Sequence, residues 1–204
     1  MFIIGITGGT GAGKTSAVRS LQKLGALALD CDKIYHELLL SSEDMKEEIG
    51  THFKGVLTDN KIDRQKLSAI VFENPGSLKD LNAITHKYVG AEIKRRIDEF
   101  KAQGGKAAAI DAIALIESGQ NKSCDVVIGV TAPEDKRTLR IMDRDNITRE
   151  QALMRINAQQ AESFYRENCD HVLVNEYDTQ SEFEEKCLDF FRRLLSDEQS
   201  RGTS

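Results

Sequence analysis

The sequence predicts an α/β fold: an open, doubly wound parallel sheet of about five strands with helices on both faces. Three observations predict it. Short apolar runs bounded by turn residues recur at 2–6, 26–29, 107–110, 126–130 and 172–174. Helical patterns separate them, which is the alternation of a parallel sheet with its crossovers. Finally, 5 of the 15 glycines fall between Gly5 and Gly13, directly after the first run.

The chain of 204 residues is long enough for one domain with insertions and a sizeable core. Hydrophobic residues at 40% and charged residues at 30% exclude a disordered chain. A formal charge of -5 argues against a broad nucleic-acid surface, and two prolines are too few for a Pro-rich linker. No apolar run approaches the ~20 residues that span a bilayer, and the opening segment has no basic region of a signal peptide. Cys31, Cys124, Cys169 and Cys187 are scattered without a CxxC pair, and His36, His52, His86 and His171 are equally dispersed. Neither a disulfide framework nor a zinc site is expected, and a cytoplasmic protein is.

The elements follow in order. The first strand runs into the glycine cluster, and the first helix begins near Gly13 and ends at Gly25, a good left-handed cap. The second strand ends in Leu29-Asp30-Cys31-Asp32. The roughly 70 residues that follow, to Gln103, show helical periodicity and caps such as Asp63 and Ser77 but no strand, and so form a helical insertion. The third strand ends in Asp111, and the fourth precedes a charged segment, 134–168, that carries Arg137, Arg140, Arg144, Arg149, Arg155 and Arg166. After the fifth strand, a capping box from Ser181 to Glu184 opens the last helix, with Phe183, Cys187, Phe190, Phe191 and Leu194 along one face. The polar end, SDEQSRGTS, is expected to fray.

Gly8-Gly-Thr-Gly-Ala-Gly13-Lys14-Thr15 satisfies G-x-x-x-x-G-K-[ST], the phosphate loop, after a predicted strand and before a predicted helix. Glycines let backbone N–H groups approach phosphate oxygens, and the helix N-terminus adds partial positive charge. Lys14 reaches the β- and γ-phosphates, Thr15 offers a hydroxyl to Mg²⁺, and Ser16 donates to a further phosphate oxygen. The dinucleotide fingerprint fails on spacing. A guanine-type signal, Asn121-Lys122-Ser-Cys-Asp125, is one residue too long, and no D-x-x-G follows the third strand.

Asp30 and Asp32 end a strand on the side where doubly wound sheets bind ligands. Either one caps the following helix or one accepts a proton from an attacking hydroxyl. Asp111 likewise either lies near Mg²⁺ or caps a turn. Arg140 and Arg144, four apart, share a helix face suited to closing over a nucleotide, while some of the six arginines are only solvated surface.

The assembled motifs resemble the dephospho-CoA kinase family from about Phe2 to Asn175. The resemblance rests on the phosphate loop, Leu29-Asp-Cys-Asp-Lys-Ile34, Asp63-Arg-Gln-Lys-Leu67 with Val71-Phe72, and Leu81-Asn-Ala-Ile-Thr-His86. It continues through Asp111 to Glu117-Ser-Gly119, Leu139 to Asp145, Ala152 to Ile156 with Gln159, and Asp170 to Asn175. It implies a P-loop kinase that moves the ATP γ-phosphate to the ribose 3′-hydroxyl of dephospho-CoA, with Mg²⁺. It also implies a nucleotide core of 1–31, 104–133 and 169–195, a helical acceptor region of 32–103 and a lid of 134–168. Asp32, Lys14 and Arg140 would be catalytic. Gly9, Gly11, Ala12, Gly13, Lys14, Thr15, Ser16, Arg144 and Asn175 would bind ATP, with Thr15 on the metal. Asp32, Arg64, His86 and Asp111 would meet the acceptor. The partners expected are these two small molecules, with no nucleic acid or membrane, in a monomer or small homo-oligomer. Two departures stand out: His86-Lys87 where the family usually has His-Pro, and Asp111-Ala-Ile113 where it usually has Asp-x-Pro. Both remove a fixed φ near the acceptor region. The rivals are a kinase for another hydroxyl acceptor and a non-catalytic ATP-binding regulator.

Overall fold

The computed structural model describes residues 1–201. In chain order, β1 (Phe2–Thr7) leads through the glycine loop to α1 (Lys14–Lys23) and β2 (Leu27–Asp30). Next come α2 (Cys31–Ser41), α3 (Glu43–His52), the short strands β3 (Leu57–Thr58) and β4 (Lys61–Ile62), α4 (Arg64–Glu73) and the long α5 (Pro75–Ala102). Then follow β5 (Ala107–Asp111), β6 (Val126–Thr131), α6 (Glu134–Asp145), α7 (Arg149–Asn157), α8 (Glu162–Asn168), β7 (His171–Val174) and α9 (Gln180–Arg201). The chain divides into two compact units, one of Met1–Leu29 and everything from Phe100 on, the other of Asp30–Glu99.

The first unit carries a five-stranded sheet of order β2-β5-β1-β6-β7. The pairs β1–β5, β1–β6 and β6–β7 are parallel. All six residues of β6 are buried, as a strand covered on both faces requires. From β1 the chain crosses to the edge strand β2, returns through β5 beside β1, and then continues on the other side of β1 through β6 and β7. The reversal therefore lies at the carboxyl end of β1, where the glycine loop begins. Beneath the loop, α1 and α9 pack on a core containing Ile4, Ile6, Leu21, Ile128, Phe183 and Phe191. Gly25 closes α1 with φ 84: its N–H donates to the Gln22 carbonyl, and that of Ala26 to Leu21. That is the left-handed cap expected of a glycine at this place.

The second unit is helical around Leu39, Met45, Ile49, Phe53, Val56, Leu67, Leu81 and Ile84. It differs from expectation in holding a two-stranded hairpin, β3–β4. Asp59 and Asn60 form its turn, both with left-handed backbones at φ 48 and 58, a conformation these side chains tolerate. Asp63 caps α4, accepting from the N–H groups of Gln65 and Lys66. Ser77 is not a cap: α5 starts at Pro75, whose missing N–H is harmless there, and Asn74 accepts from the Gly76 N–H. The helix then runs unbroken through Lys87, which pairs with Glu48 at 2.6 Å.

α9 corrects a second cap. Its box is Thr179 with Glu182, each side chain accepting from the other's backbone N–H at 3.1 and 3.3 Å. Glu184, the expected partner of Ser181, instead accepts from Lys23 at 2.8 Å. α9 extends to Arg201, beyond the expected end; residues 202–204 of the expected frayed tail lie outside the described residues. Among the described residues, no helix is long and apolar enough to cross a membrane.

Phe191 is fully buried between α9 and the sheet, away from the glycine loop. Replacing it with alanine should cost about 3–5 kcal/mol through lost burial and a cavity. Urea unfolding checks this as a lower midpoint at unchanged slope.

Candidate active site

The glycine loop connects β1 to α1 and borders a cleft of about 480 Å³ in the first unit. Gly13 is the N-cap of α1, with φ 110, and a Cβ there would lie 2.4 Å from Asn175 Nδ2. Both its backbone and its neighbour thus demand glycine. Lys14, Thr15 and Ser16 open the helix and face the cleft, with Thr15 exposed. No acidic side chain occupies the first turn of α1. The positive end of the helix is therefore left for an external anion.

The expected cations converge on the cleft. Lys14, Arg140 and Arg144 line it, joined by the unanticipated Arg19, against one acid, Asp178. Arg140 is half-buried and is held by three acceptors: Gly11 carbonyl at 3.3 Å, Asn175 Oδ1 at 3.2 Å and Tyr177 carbonyl at 2.8 Å. Burial lowers its pKa, and Asp178 partly opposes that shift. Asn175, buried at the exit of β7, donates to the Ala12 carbonyl at 3.0 Å. Arg144 donates from two nitrogens to Asp145, at 2.7 and 2.9 Å, and Arg155 pairs with the same carboxylate. Hydrogen bonding to Arg144, more than any other cause, holds the Asp145 carboxyl below its usual range. Arg166 pairs with Glu162 on the surface, as expected of some members of the run.

Asp111 ends β5 half-buried, and the following Ile113 carbonyl accepts from the Thr7 hydroxyl at 2.9 Å. That bond fixes the turn where the proline is missing. Asp125, the acid of the rejected guanine signal, accepts from the Ile3 N–H at 2.7 Å, so it is spent on pinning the start of β1.

In the second unit, the Asp30/Asp32 alternative resolves. Asp30 Oδ1 accepts from the Lys33 N–H at 3.0 Å and caps α2. Asp32 lies exposed in the first turn of the helix, leaving its carboxylate available. Arg64 opens α4, with Nη2 3.0 Å from His36 Nδ1. Because a guanidinium only donates, that ring nitrogen accepts and carries no proton. His36 stacks obliquely on Tyr35, whose hydroxyl pKa is raised by burial and opposed by Arg64. The Arg64 partner was not anticipated. His86 is half-buried, and burial lowers its pKa, which favours the neutral ring.

Arg19 in the cleft and Arg137 beside the glycine loop escaped the sequence. Arg137 lies three residues before Arg140 and seven before Arg144, on one helix face, and that stripe was the available signal. Thr179 and Gln180, at the start of α9, also line the cleft.

Residues 2–181 match the family described as CoaE, dephospho-CoA kinase. The dephospho-CoA kinase of Carboxydothermus hydrogenoformans is 38% identical over 159 residues, covering 77% of each chain. A solved structure from Thermus thermophilus is similar with a TM-score of 0.78 and 28% identity, covering 95% of this chain and 97% of that one. The solved dephospho-CoA kinase from Campylobacter jejuni gives 0.69 and 25%, covering 96% and 98%.

A depressed folded-state pKa means that His86 stabilises the fold in its neutral form. That contribution is present above the ordinary value of 6.5 and is lost as pH falls through the folded value. Proton NMR titration of the His86 ring should therefore give a midpoint below 6.5. A midpoint at or above that value would show that burial does not govern the ring.

Proposed function

The chain belongs to the dephospho-CoA kinase family, and on that premise we propose how its residues divide the labour of the reaction. The protein is an ATP-dependent phosphotransferase acting on a hydroxyl of dephospho-CoA, a step of coenzyme A synthesis. The acceptor group is the ribose 3′-hydroxyl, and the donor is the γ-phosphate. The single observation that carries this division is the cationic cleft around the glycine loop; within the second unit, Asp32 is exposed while Asp30 is occupied as a cap.

Backbone N–H groups of Gly11, Gly13 and Lys14, leading into α1, would cradle the ATP phosphates, with Gly9 allowing close approach and Ala12, whose N–H donates to the Gly9 carbonyl at 3.2 Å, holding the turn beside them. Lys14 would follow the β- and γ-oxygens through transfer. Ser16 would donate to a further phosphate oxygen, and Arg144 would exchange Asp145 for phosphate. Arg140, already desolvated, would stabilise charge developing on the transferred group. Asn175 would hold the loop and Arg140 in mutual register. Asp32 would orient the acceptor hydroxyl and take its proton as the new P–O bond forms. Arg64 would attract the acceptor's anionic groups. His86 and Asp111 would offer it hydrogen-bonding positions.

Mg²⁺ fits the cleft as an ion held by the Thr15 hydroxyl and by phosphate oxygens. The Thr15 hydroxyl is exposed at the helix start, and no group of three His, Cys, Asp or Glu side chains among the described residues is placed to hold a metal alone. When bound with the nucleotide it would neutralise negative charge on the phosphates. A cytoplasmic location and a monomer or small homo-oligomer complete this reading.

Purified protein given ATP, Mg²⁺ and dephospho-CoA should yield a product heavier by one phosphate. Asp32→Asn should lower kcat by at least about a hundredfold, the scale of a lost general base, with ATP affinity nearly unchanged. Normal turnover in that variant removes the base assignment. Intact ATP binding without any phosphorylated acceptor in the wild type would instead support a regulatory protein.

A further inference from the structure

Gln159 and Arg137 have no part in the division of roles above, yet they meet at one point of the glycine loop. Gln159 Oε1 accepts from the Thr10 N–H at 2.7 Å and from Arg137 Nη2 at 3.1 Å. Arg137 Nε donates to the Thr10 carbonyl at 2.9 Å. Both peptide groups of Thr10 are thus held by side chains far along the chain. Two donors converging on one oxygen also fix the orientation of the Gln159 amide. Both halves of this contact stand on the same support. Arg137 projects from α6 and Gln159 follows the end of α7, and the two helices share a small core of Ile141, Ala152 and Ile156.

A separate observation points to the same contact. Gly9 is buried, but its φ is not in the left-handed region, so its own backbone would admit a side chain. A Cβ at this position would lie 2.3 Å from Arg137 Nη2 and 3.0 Å from Gln159 Oε1. Glycine is required at this place by the approach of Arg137 and Gln159 rather than by the turn.

We propose that Gln159 and Arg137 form a clamp that presets the glycine loop in its phosphate-receiving shape and ties it to the α6–α7 hairpin. They are positioning residues, acting on ATP through Thr10 and Gly9. Without the clamp the loop would have to be ordered by the nucleotide itself, at a cost in affinity. This inference rests on the reading of the cleft as the ATP site.

Three variants test it. Gln159→Met keeps the shape and removes the acceptor, Gln159→Ala removes both, and Gln159→Glu keeps an acceptor for both donors. The measurements are the Kd of a non-hydrolysable ATP analogue by calorimetry, kcat, KM for each substrate, and Tm. The Met and Ala variants should bind the analogue roughly tenfold more weakly, the scale of a buried N–H left without its acceptor. KM for ATP should rise in step, with KM for dephospho-CoA and Tm unchanged, and the Glu variant should bind more tightly than the Met variant. Combining Gly9→Ala with Gln159→Met should cost less than the sum of the single losses, since both break one contact. Unchanged ATP affinity in the Met variant overturns the clamp, as does a loss that merely follows a fall in Tm. Additive losses in the double variant also overturn it. Failure of the wild type itself to bind the analogue would overturn the ATP reading instead, before any variant is compared.

Discussion

A loop that turns its N–H groups toward an anion must turn carbonyls back toward the protein, and buried carbonyls need donors. That constraint organises the first unit. Ala12 is answered by Asn175, Gly11 by Arg140 and Thr10 by Arg137. Each donor comes from a different place: the exit of β7 and two successive turns of α6. The loop is therefore built from outside, by side chains that stand where they do because the sheet order puts β6 and β7 beside β1. The cationic character of the cleft follows from the same need. Arginine is the side chain that can satisfy several carbonyls at once while leaving positive charge facing an incoming phosphate.

The acid–base side obeys a similar economy. The turn from β2 into α2 needs one carboxylate as a cap, and Asp30 supplies it. A second acid two residues on is left exposed in the first turn of the helix. Local architecture separates two chemically equal residues into a structural one and an available one. In the same way, Arg64 is presented with His36 as an acceptor for its guanidinium, which fixes the ring's Nδ1 as unprotonated.

What could be read from the sequence was what is local. The strands, the glycine loop and the Gly25 cap depend on spacing within a few residues, and the fold class follows from their order. The cap of α9 illustrates the limit. Thr179-Gln-Ser-Glu182 and Ser181-Glu-Phe-Glu184 are overlapping matches to one pattern, and the second is undone because Glu184 is engaged by Lys23, Gln180 and Arg19. The hairpin at 57–62 went unseen because strands of two residues display no period. Arg137 looked like one more cation in a solvated run, although it shares a face with Arg140 and Arg144. Gln159 carried no local chemical signal of its partner, since Thr10 lies 149 residues away.

That separation bears on when the protein becomes competent during its own synthesis. β1 and the glycine loop leave the ribosome before the rest of their sheet: β1's neighbours β5 and β6 begin at Ala107 and Val126, and the donors to the loop come later still. The unit of Asp30–Glu99 is one continuous stretch with its own apolar cluster, so it has everything it needs to compact while the rest is still being made. The loop, by contrast, keeps bare carbonyls until Asn175 has emerged. An anion-binding loop encoded ahead of every side chain that answers its carbonyls is, in the order of assembly, finished only after them.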